Sequence, residues 1–451
     1  MANRFSSKIL GFVILSLGYY EVAIGILQWL GILHSHHYGY SFTGTFYNPG
    51  PYACFLSIMV PIAVSIMDER NHRTERWVGM VMVLMCAVLI PATLSRTAMI
   101  ACAAGTAIAL WNSIYSYLRK VGRMCVILGS VVFMIAAVCL YSVKKDSADG
   151  RILMWKVAAE AVIDTLPTGV GWDNVAGEYG EAQERYFESG KASEQEILVA
   201  DAPEYVFNEY LQVAIAFGPL AAVLMFAIIF GAIVSAFKNH NHGMAGSAMA
   251  ASIIMFSSYP LQFPIFVITI GIVLTGCYLS FNSVWTKVSG AGITVCCIAL
   301  FLANSHRTDV NSEFHIAHTL HRQGKHEKSN EILLELKRHS ADPMILNIIG
   351  KNYQSLGMPD SAIYYLRKST FRCPNRMYPH YLLMKLYNDS ISYNEKSSIQ
   401  EARIILSMKP KVESEATKDM KREAGVKLKN EKLKSDALRK INNEKSDTRW
   451  Q

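Results

Sequence analysis

Apolar and polar positions divide this chain into two kinds of sequence. Residues 8–303 run as apolar blocks with short polar joints, whereas 304–451 are rich in Lys, Glu, Asn and Ser. A membrane-crossing helix needs about 20 apolar residues. By that measure roughly nine stretches predict spans: 9–33, 51–67, 77–94, 97–117, 122–143, 208–237, 244–259, 261–282 and 288–303. The pair 244–259 and 261–282 also reads as one broken hairpin. The block 9–33 lacks a small-residue cleavage site and reads as a retained first helix, not a signal peptide. The longest hydrophilic interruption of the apolar part is the loop 144–207.

Basic residues orient these spans, because cytoplasmic joints collect Lys and Arg. Arg4 and Lys8, then Arg70, Arg73 and Arg76, then Arg119, Lys120 and Arg123, then Lys238 and Lys287, all fall on one side if the N-terminus is cytoplasmic. The opposite joints are poor in such residues, apart from the loop itself, which is long enough to escape the rule. Loop 144–207 and the tail are therefore expected on the outer face of the membrane.

Within the loop, Ile152, Trp155, Val157, Ala158, Ala161 and Val162 have helical spacing and predict an amphipathic helix lying on the membrane surface. Pro167 and Gly169 end it, Gly171-Trp172-Asp173 makes a turn, and 177–188 predicts an acidic helix. After 303 the pattern becomes paired helices over 313–336, 348–372 and 381–406, with small residues such as Ala317, Gly350 and Ala402 at the crossings. Their spacing of roughly 31–36 residues matches tetratricopeptide repeats, which stack into scaffolds for proteins or peptides. The chain thus predicts an all-α protein with three parts. These are a polytopic membrane bundle over 1–303, an α-solenoid over 304–410, and a charged helix or tail over 411–451.

Composition narrows the choice of function. The net charge of +8 spreads over joints and tail and makes no nucleic-acid footprint. Eight of the nine cysteines lie in apolar blocks and only Cys373 in the tail, so neither a soluble disulfide nor a metal knuckle is expected. His34, His36 and His37 cluster without a carboxylate, and no metal is expected there. A transporter is disfavoured because the spans read as free of mid-span charge.

The residues open to chemistry are polar groups next to apolar helices. Arg96 either anchors a helix end by snorkelling or holds a phosphate through paired hydrogen bonds. Arg151 is either a solvated side chain or its partner. Two outward-facing arginines at a membrane surface suit a lipid-linked pyrophosphate, whose charge they stabilise as the sugar–phosphate bond breaks. Asn208 and Glu209 either cap the next helix or enter a site where Glu209, Glu204 or Asp201 takes a proton from an acceptor hydroxyl.

Several of these residues fall into ordered motifs. They are Gly44-Thr45-Phe46 with Asn48-Pro49, Ser95-Arg96-Thr97, Gly150-Arg151, Trp155-Lys156, Pro167-Thr168-Gly169-Val170-Gly171, Asn208-Glu209-Tyr210-Leu211-Gln212 and Gly218-Pro219-Leu220. In order and spacing the chain resembles the O-antigen ligase and polymerase superfamily over about 40–282, and the repeats resemble its Bacteroidetes branch. That resemblance implies an inner-membrane, metal-independent glycosyltransferase without a cofactor. It would move a glycan from undecaprenyl pyrophosphate to lipid A–core, to a growing glycan or to a protein, at the periplasmic face. It implies that Arg96 and Arg151 handle the pyrophosphate, that Glu209 is catalytic, and that Ser95, Trp155, Gly171, Trp172, Asn208 and Tyr210 bind substrate. Phe207 stands where many ligases have His, and the chain begins late for a family of about ten to twelve spans. O-antigen ligation is the leading reading. Repeat-unit polymerisation and protein O-glycosylation stand beside it, and a scaffold presenting the repeats is the non-enzymatic reading.

Overall fold

A computed structural model describes residues 2–68, 73–118, 145–280, 308–390, 392–410 and 413–447, with isolated residues between 288 and 298. The expected span 122–143 and most of 288–303 lie outside the described residues, as do Arg70, Arg119, Lys120, Arg123 and Lys287.

Every regular element among the described residues is helical. In chain order they are α1 (Ala2–Trp29), α2 (Pro49–Asp68), α3 (Arg73–Ala92), α4 (Arg96–Ala109), α5 (Trp111–Leu118), α6 (Lys145–Asp164), α7 (Val175–Glu188), α8 (Glu194–Val199), α9 (Glu209–Phe217), α10 (Pro219–Lys238), α11 (His242–Ser257), α12 (Pro264–Tyr278), α13 (Val310–Arg322), α14 (His326–Leu336), α15 (Pro343–Ser355), α16 (Pro359–Arg372), α17 (Met377–Leu386), α18 (Glu395–Ser407) and α19 (Glu415–Asp447). They form two compact units that cut across the order of the chain. The first is Met1–Lys145, Leu166–Trp172 and Tyr205–His306; the second is Asp146–Thr165, Asp173–Glu204 and Arg307–Gln451.

The first unit is built on α2 and α11, which pack on each other and on α4. Glycine lets α4 and α11 approach: a Cβ on Gly105 would lie 2.6 Å from the Gly246 carbonyl oxygen and 2.7 Å from Pro61. Small residues at such crossings give lipid-embedded helices their packing. Four described helices are long and apolar enough to cross a membrane, namely Lys8–Trp29, Pro49–Met67, Arg73–Ala92 and Pro219–Lys238. α4 and α5 make a fifth only if their 75° bend belongs to one span. α10 leaves Leu220, Val223, Leu224, Phe226 and Phe230 exposed, an apolar surface that suits lipid and not water.

Two expected spans are broken. The stretch 208–237 divides at Gly218, whose φ of 84° and following Pro219 stop α9 and restart as α10. The stretch 97–117 divides at Leu110. The expectation of spans without mid-span charge also fails. Glu21 lies inside α1, wholly buried, and accepts from the Thr45 backbone N–H at 3.0 Å and its hydroxyl at 2.5 Å.

The second unit joins most of the polar loop to the tail. Helices α13 to α18 pack as consecutive neighbours, and α19 packs on α18. Gly324 and Gly357 take φ of 76° and 72° at the turns within the first two pairs, as left-handed turns require. Loop helix α7 packs on α16. There Arg372, only 1% exposed, meets Glu184 at 2.6 Å, and Lys368 adds a second contact to Glu184 at 3.3 Å. Gln183 donates to the carbonyls of Arg372 and Asp201. Asn375 donates to the carbonyls of Leu198 and Ala200, and the Thr308 hydroxyl donates to Asp173 at 2.7 Å. The amphipathic loop helix is present as α6, and its covered face is the expected one apart from Ile152. Leu153, Val157, Ala158 and Ala161 are buried in protein while Ile152 is 56% exposed. Protein therefore covers the apolar side that was expected to lie on lipid.

Breaking a buried ion pair leaves an unpaired charge and costs about 3–5 kcal/mol, whereas replacing both partners with apolar groups is often neutral. Glu184→Ala is therefore expected to lower the thermal unfolding midpoint of the second unit sharply, and Glu184→Leu with Arg372→Met to recover most of the loss. Equal midpoints for Glu184→Ala and the wild type would remove the pair from the account of this unit's stability.

Candidate functional site

One end of the first unit collects most of the polar groups marked out in the sequence. Ser95 caps α4 in extended conformation, its hydroxyl accepting from the Ala98 N–H at 3.4 Å. The cap fixes Arg96, half-buried, as the first residue of the helix. Thr97 is 7% exposed and its hydroxyl accepts from Ser257 at 3.1 Å, which ties the start of α4 to the end of α11.

The chain after α11 bridges to α9. Tyr259 stacks on Tyr205 at 5.1 Å and meets Phe207 edge-on at 4.8 Å. Leu261, in the short 3-10 turn Pro260–Gln262, donates its N–H to Glu209 at 2.7 Å. Glu209 is 0% exposed. Asn208 caps α9 by accepting from the Leu211 N–H at 3.1 Å, and the Gln212 side chain accepts from the Val206 N–H at 3.2 Å. Tyr210 shares a 2.9 Å hydrogen bond with Ser252 of α11. The segments 95–97, 205–212 and 257–262 thus meet at one end of the bundle. Phe207, in the position where His was expected from the resemblance, has φ of 55° and supplies a ring to this aromatic wall.

Two further pieces complete that unit's polar and apolar sites. The loop before α2 is held by α1: the Gln28 side chain accepts from the Thr43 and Gly44 N–H groups at 2.9 Å each, beside the Glu21 contacts. Phe46 then packs edge-on against Phe263 at 5.2 Å. The segment before Trp172 lies on the last turn of α9, with Val170 donating to Ile215 at 3.0 Å and Gly171 to Ala216 at 2.8 Å. Gly169 needs its φ of 77° and its missing side chain here, because a Cβ would fall 2.5 Å from Ala216. Trp172 stacks on Phe217 at 6.1 Å beside an apolar cavity of about 500 Å3 that Leu261, Met225 and Leu274 also line.

Arg151 and Trp155 belong to the second unit, on α6, where both are half-buried. α6 is held by Lys156, which donates to the Tyr186 hydroxyl at 2.5 Å and to Glu196 at 2.9 Å. Glu196 also closes a capping box with Ser193 at the start of α8. Partial burial pushes the Glu196 carboxyl up, but Lys156, the Ser193 backbone and Tyr186 together pull it down to about 2. The Tyr186 and Glu196 hydrogen bonds raise Lys156 above its ordinary value.

Sequence reading missed Glu21, Gln28, Ser252 and Ser257. A single carboxylate inside the apolar run 9–33 was the available signal for Glu21. The two serines lie in apolar helices and had none. Among the described residues no group of three His, Cys, Asp or Glu side chains is placed to hold a metal.

The apolar, lipid-suited helices are those of a multi-pass membrane protein, and the polar groups gather at one end of the bundle. Residues 80–226 match the family model described as O-Antigen ligase, and this stretch belongs to the O-antigen ligase superfamily. Each of Ser95, Arg96, Arg151, Trp155, Gly171, Trp172, Asn208, Glu209 and Tyr210 falls inside it. That match supports an O-antigen ligase- or polymerase-type function in the broad sense. No curated protein and no solved structure matches it significantly.

Pairing with Lys156 gives Glu196 a folded-state value below its ordinary 4.5, so its contribution is present above that pH and is lost as pH falls towards about 2. The thermal midpoint of the wild type is expected to exceed that of Glu196→Gln by a constant margin above pH 4.5, with the margin closing towards pH 2. A margin independent of pH would show that the carboxylate is not what holds α8 to α6.

Proposed function

We propose that this protein is a bacterial inner-membrane glycosyltransferase. It moves a glycan from undecaprenyl pyrophosphate to an acceptor at the periplasmic face, as an O-antigen ligase of lipopolysaccharide biosynthesis. The observation that carries the reading is the position of Arg96. It stands at a capped helix start, half-buried, at the bundle end where Asn208, Glu209 and Tyr210 also converge. A guanidinium held there suits a lipid-linked pyrophosphate at the membrane surface.

In this reaction the acceptor hydroxyl oxygen bonds to the anomeric carbon as the bond from that carbon to the pyrophosphate oxygen breaks. The bonding pair leaves with undecaprenyl pyrophosphate, and Arg96 and Arg151 stabilise its charge. The hydroxyl proton passes to a carboxylate, and Glu209, fixed by the Leu261 amide, is the one proposed for it. Ser95 and Asn208 act by setting where α4 and α9 start. Tyr210, Trp155 and Gly171 help to shape the substrate's surroundings. Trp172 flanks the apolar cavity, which suits the polyprenyl chain. The reaction needs neither metal nor cofactor.

The paired helices of the second unit fit tetratricopeptide-like repeats that hold an acceptor or a protein partner. Orientation follows from charge: Lys8, Arg73 and Lys238 sit at the starts or ends of helices away from Arg96, as the cytoplasmic ends of spans do. The loop and tail are then periplasmic.

The test is a surface-glycan gel on a deletion strain carrying wild type, Arg96→Ala or Arg151→Ala. Both variants are expected to lose the high-molecular-weight ladder, with lipid A–core intact and lipid-linked chains accumulating. Core bearing one repeat unit would assign polymerisation instead. An unchanged ladder in both variants would overturn the lipopolysaccharide reading and leave protein glycosylation or a scaffold.

A further inference from the structure

The joint between α11 and α12 reads Tyr-Pro-Leu-Gln-Phe-Pro over 259–264. Pro260 and Pro264 each fix φ and restrict the residue before them, so the joint is stiff. It is also tied on both sides of Tyr259. Two residues before it, Ser257 donates to the hydroxyl of Thr97, the neighbour of Arg96. Two residues after it, Leu261 donates its N–H to Glu209. The chain from Ser257 to Leu261 reaches at most about 14 Å. The segment carrying Tyr259 thus bridges the guanidinium proposed for the leaving pyrophosphate and the carboxylate proposed for the acceptor proton.

The rings around Tyr259 run from core to surface. Phe46 and Phe266 are 2% and 0% exposed, and Phe263 packs on both. Tyr259 comes next, tilted against Phe263 at 5.8 Å, and Tyr205 stacks on Tyr259 at 5.1 Å with 16° between their planes. Phe207 meets Tyr259 edge-on at 4.8 Å. Tyr205, Phe207 and Tyr259 are half-buried, so this end of the wall keeps aromatic surface open. A sugar ring has C–H groups on its faces and hydroxyls at its rim. It lies flat on an aromatic face, and a tyrosine adds a polar tip for the rim.

We propose that Tyr259, backed by Tyr205, is the platform for the sugar joined directly to the donor's pyrophosphate, and that it selects which first sugar is accepted. This rests on the glycosyltransferase reading above. In that reaction the anomeric carbon lies between the departing pyrophosphate oxygen and the incoming acceptor oxygen. The sugar that contains this carbon must lie between the groups that serve those two oxygens, and the segment from Ser257 to Leu261 runs there. The acceptor sugar, by contrast, lies on the far side of the attacking oxygen.

Calorimetric titration of the full-length protein in neutral detergent tests this with two ligands. One is bare undecaprenyl pyrophosphate, and the other is the lipid-linked glycan extracted from the deletion strain. The wild type is expected to bind the glycan-bearing lipid about tenfold more tightly, an effect the size of one good aromatic contact. Tyr259→Ala is expected to lose this margin while binding the bare lipid as the wild type does, which also reports that the fold stands. Tyr259→Phe keeps the ring and is expected to keep the margin. Tyr205→Ala removes the backing ring and is expected to narrow the margin; it decides the matter if Tyr259→Ala binds neither ligand. A full margin in Tyr259→Ala, or no margin in the wild type, would overturn the platform and leave glycosyl transfer standing. A wild type that binds neither lipid would overturn the donor reading and the platform with it.

Discussion

Glu21, Glu184 and Glu209 are almost wholly removed from water, and each organises the segment that supplies its donors. A buried carboxylate is costly unless hydrogen bonds or a counter-charge replace its hydration. Glu21 gathers Thr45 and so fixes the loop before α2. Glu209 takes the Leu261 N–H and fixes the turn after α11 against the start of α9. Glu184 takes Arg372 and Lys368 and fixes loop helix α7 on α16. Irregular backbone is thereby held in place where it meets helices, and the candidate site is made of such backbone.

This arrangement explains how a site can form at the end of a bundle with little polar material inside it. α4, α9 and α11 each begin or end at the same level, and short polar side chains join their ends: Ser257 to Thr97, and Tyr210 to Ser252. Glycines supply the remaining freedom. Gly169 and Gly218 adopt left-handed backbone where the segment before Trp172 lies against the last turn of α9. Arg96 is then set by the helix cap and not by a flexible loop, as the charge-binding role proposed for it would require. The opposite end of the same helices carries Lys8, His240 and His242.

The second unit shows that loop and tail are one structural body. The acidic face of α7 and the chain after α8 are satisfied by Arg372, Lys337, Asn375 and Arg376 from the tail. A polar loop of that length could not bury Tyr179 and Glu184 alone. The tail supplies the counter-charges and apolar contacts that make its burial favourable.

The chain's own order determined a good deal: the apolar blocks, the polar loop, the helix pairs after 308, the cap offered by Asn208, and the turn glycines. All of these follow from local periodicity and backbone preference. Only tertiary structure decided that loop and tail pack as one unit, because Glu184 and Arg372 lie far apart in sequence. It also decided that 208–237 is broken and not a continuous span, since hydropathy does not register the turn that Gly218 makes against Pro167. Nor did sequence place Ser257 or Leu261 in the site. Their contribution is a hydroxyl and a backbone N–H, groups that many residues carry and that only position in space makes specific.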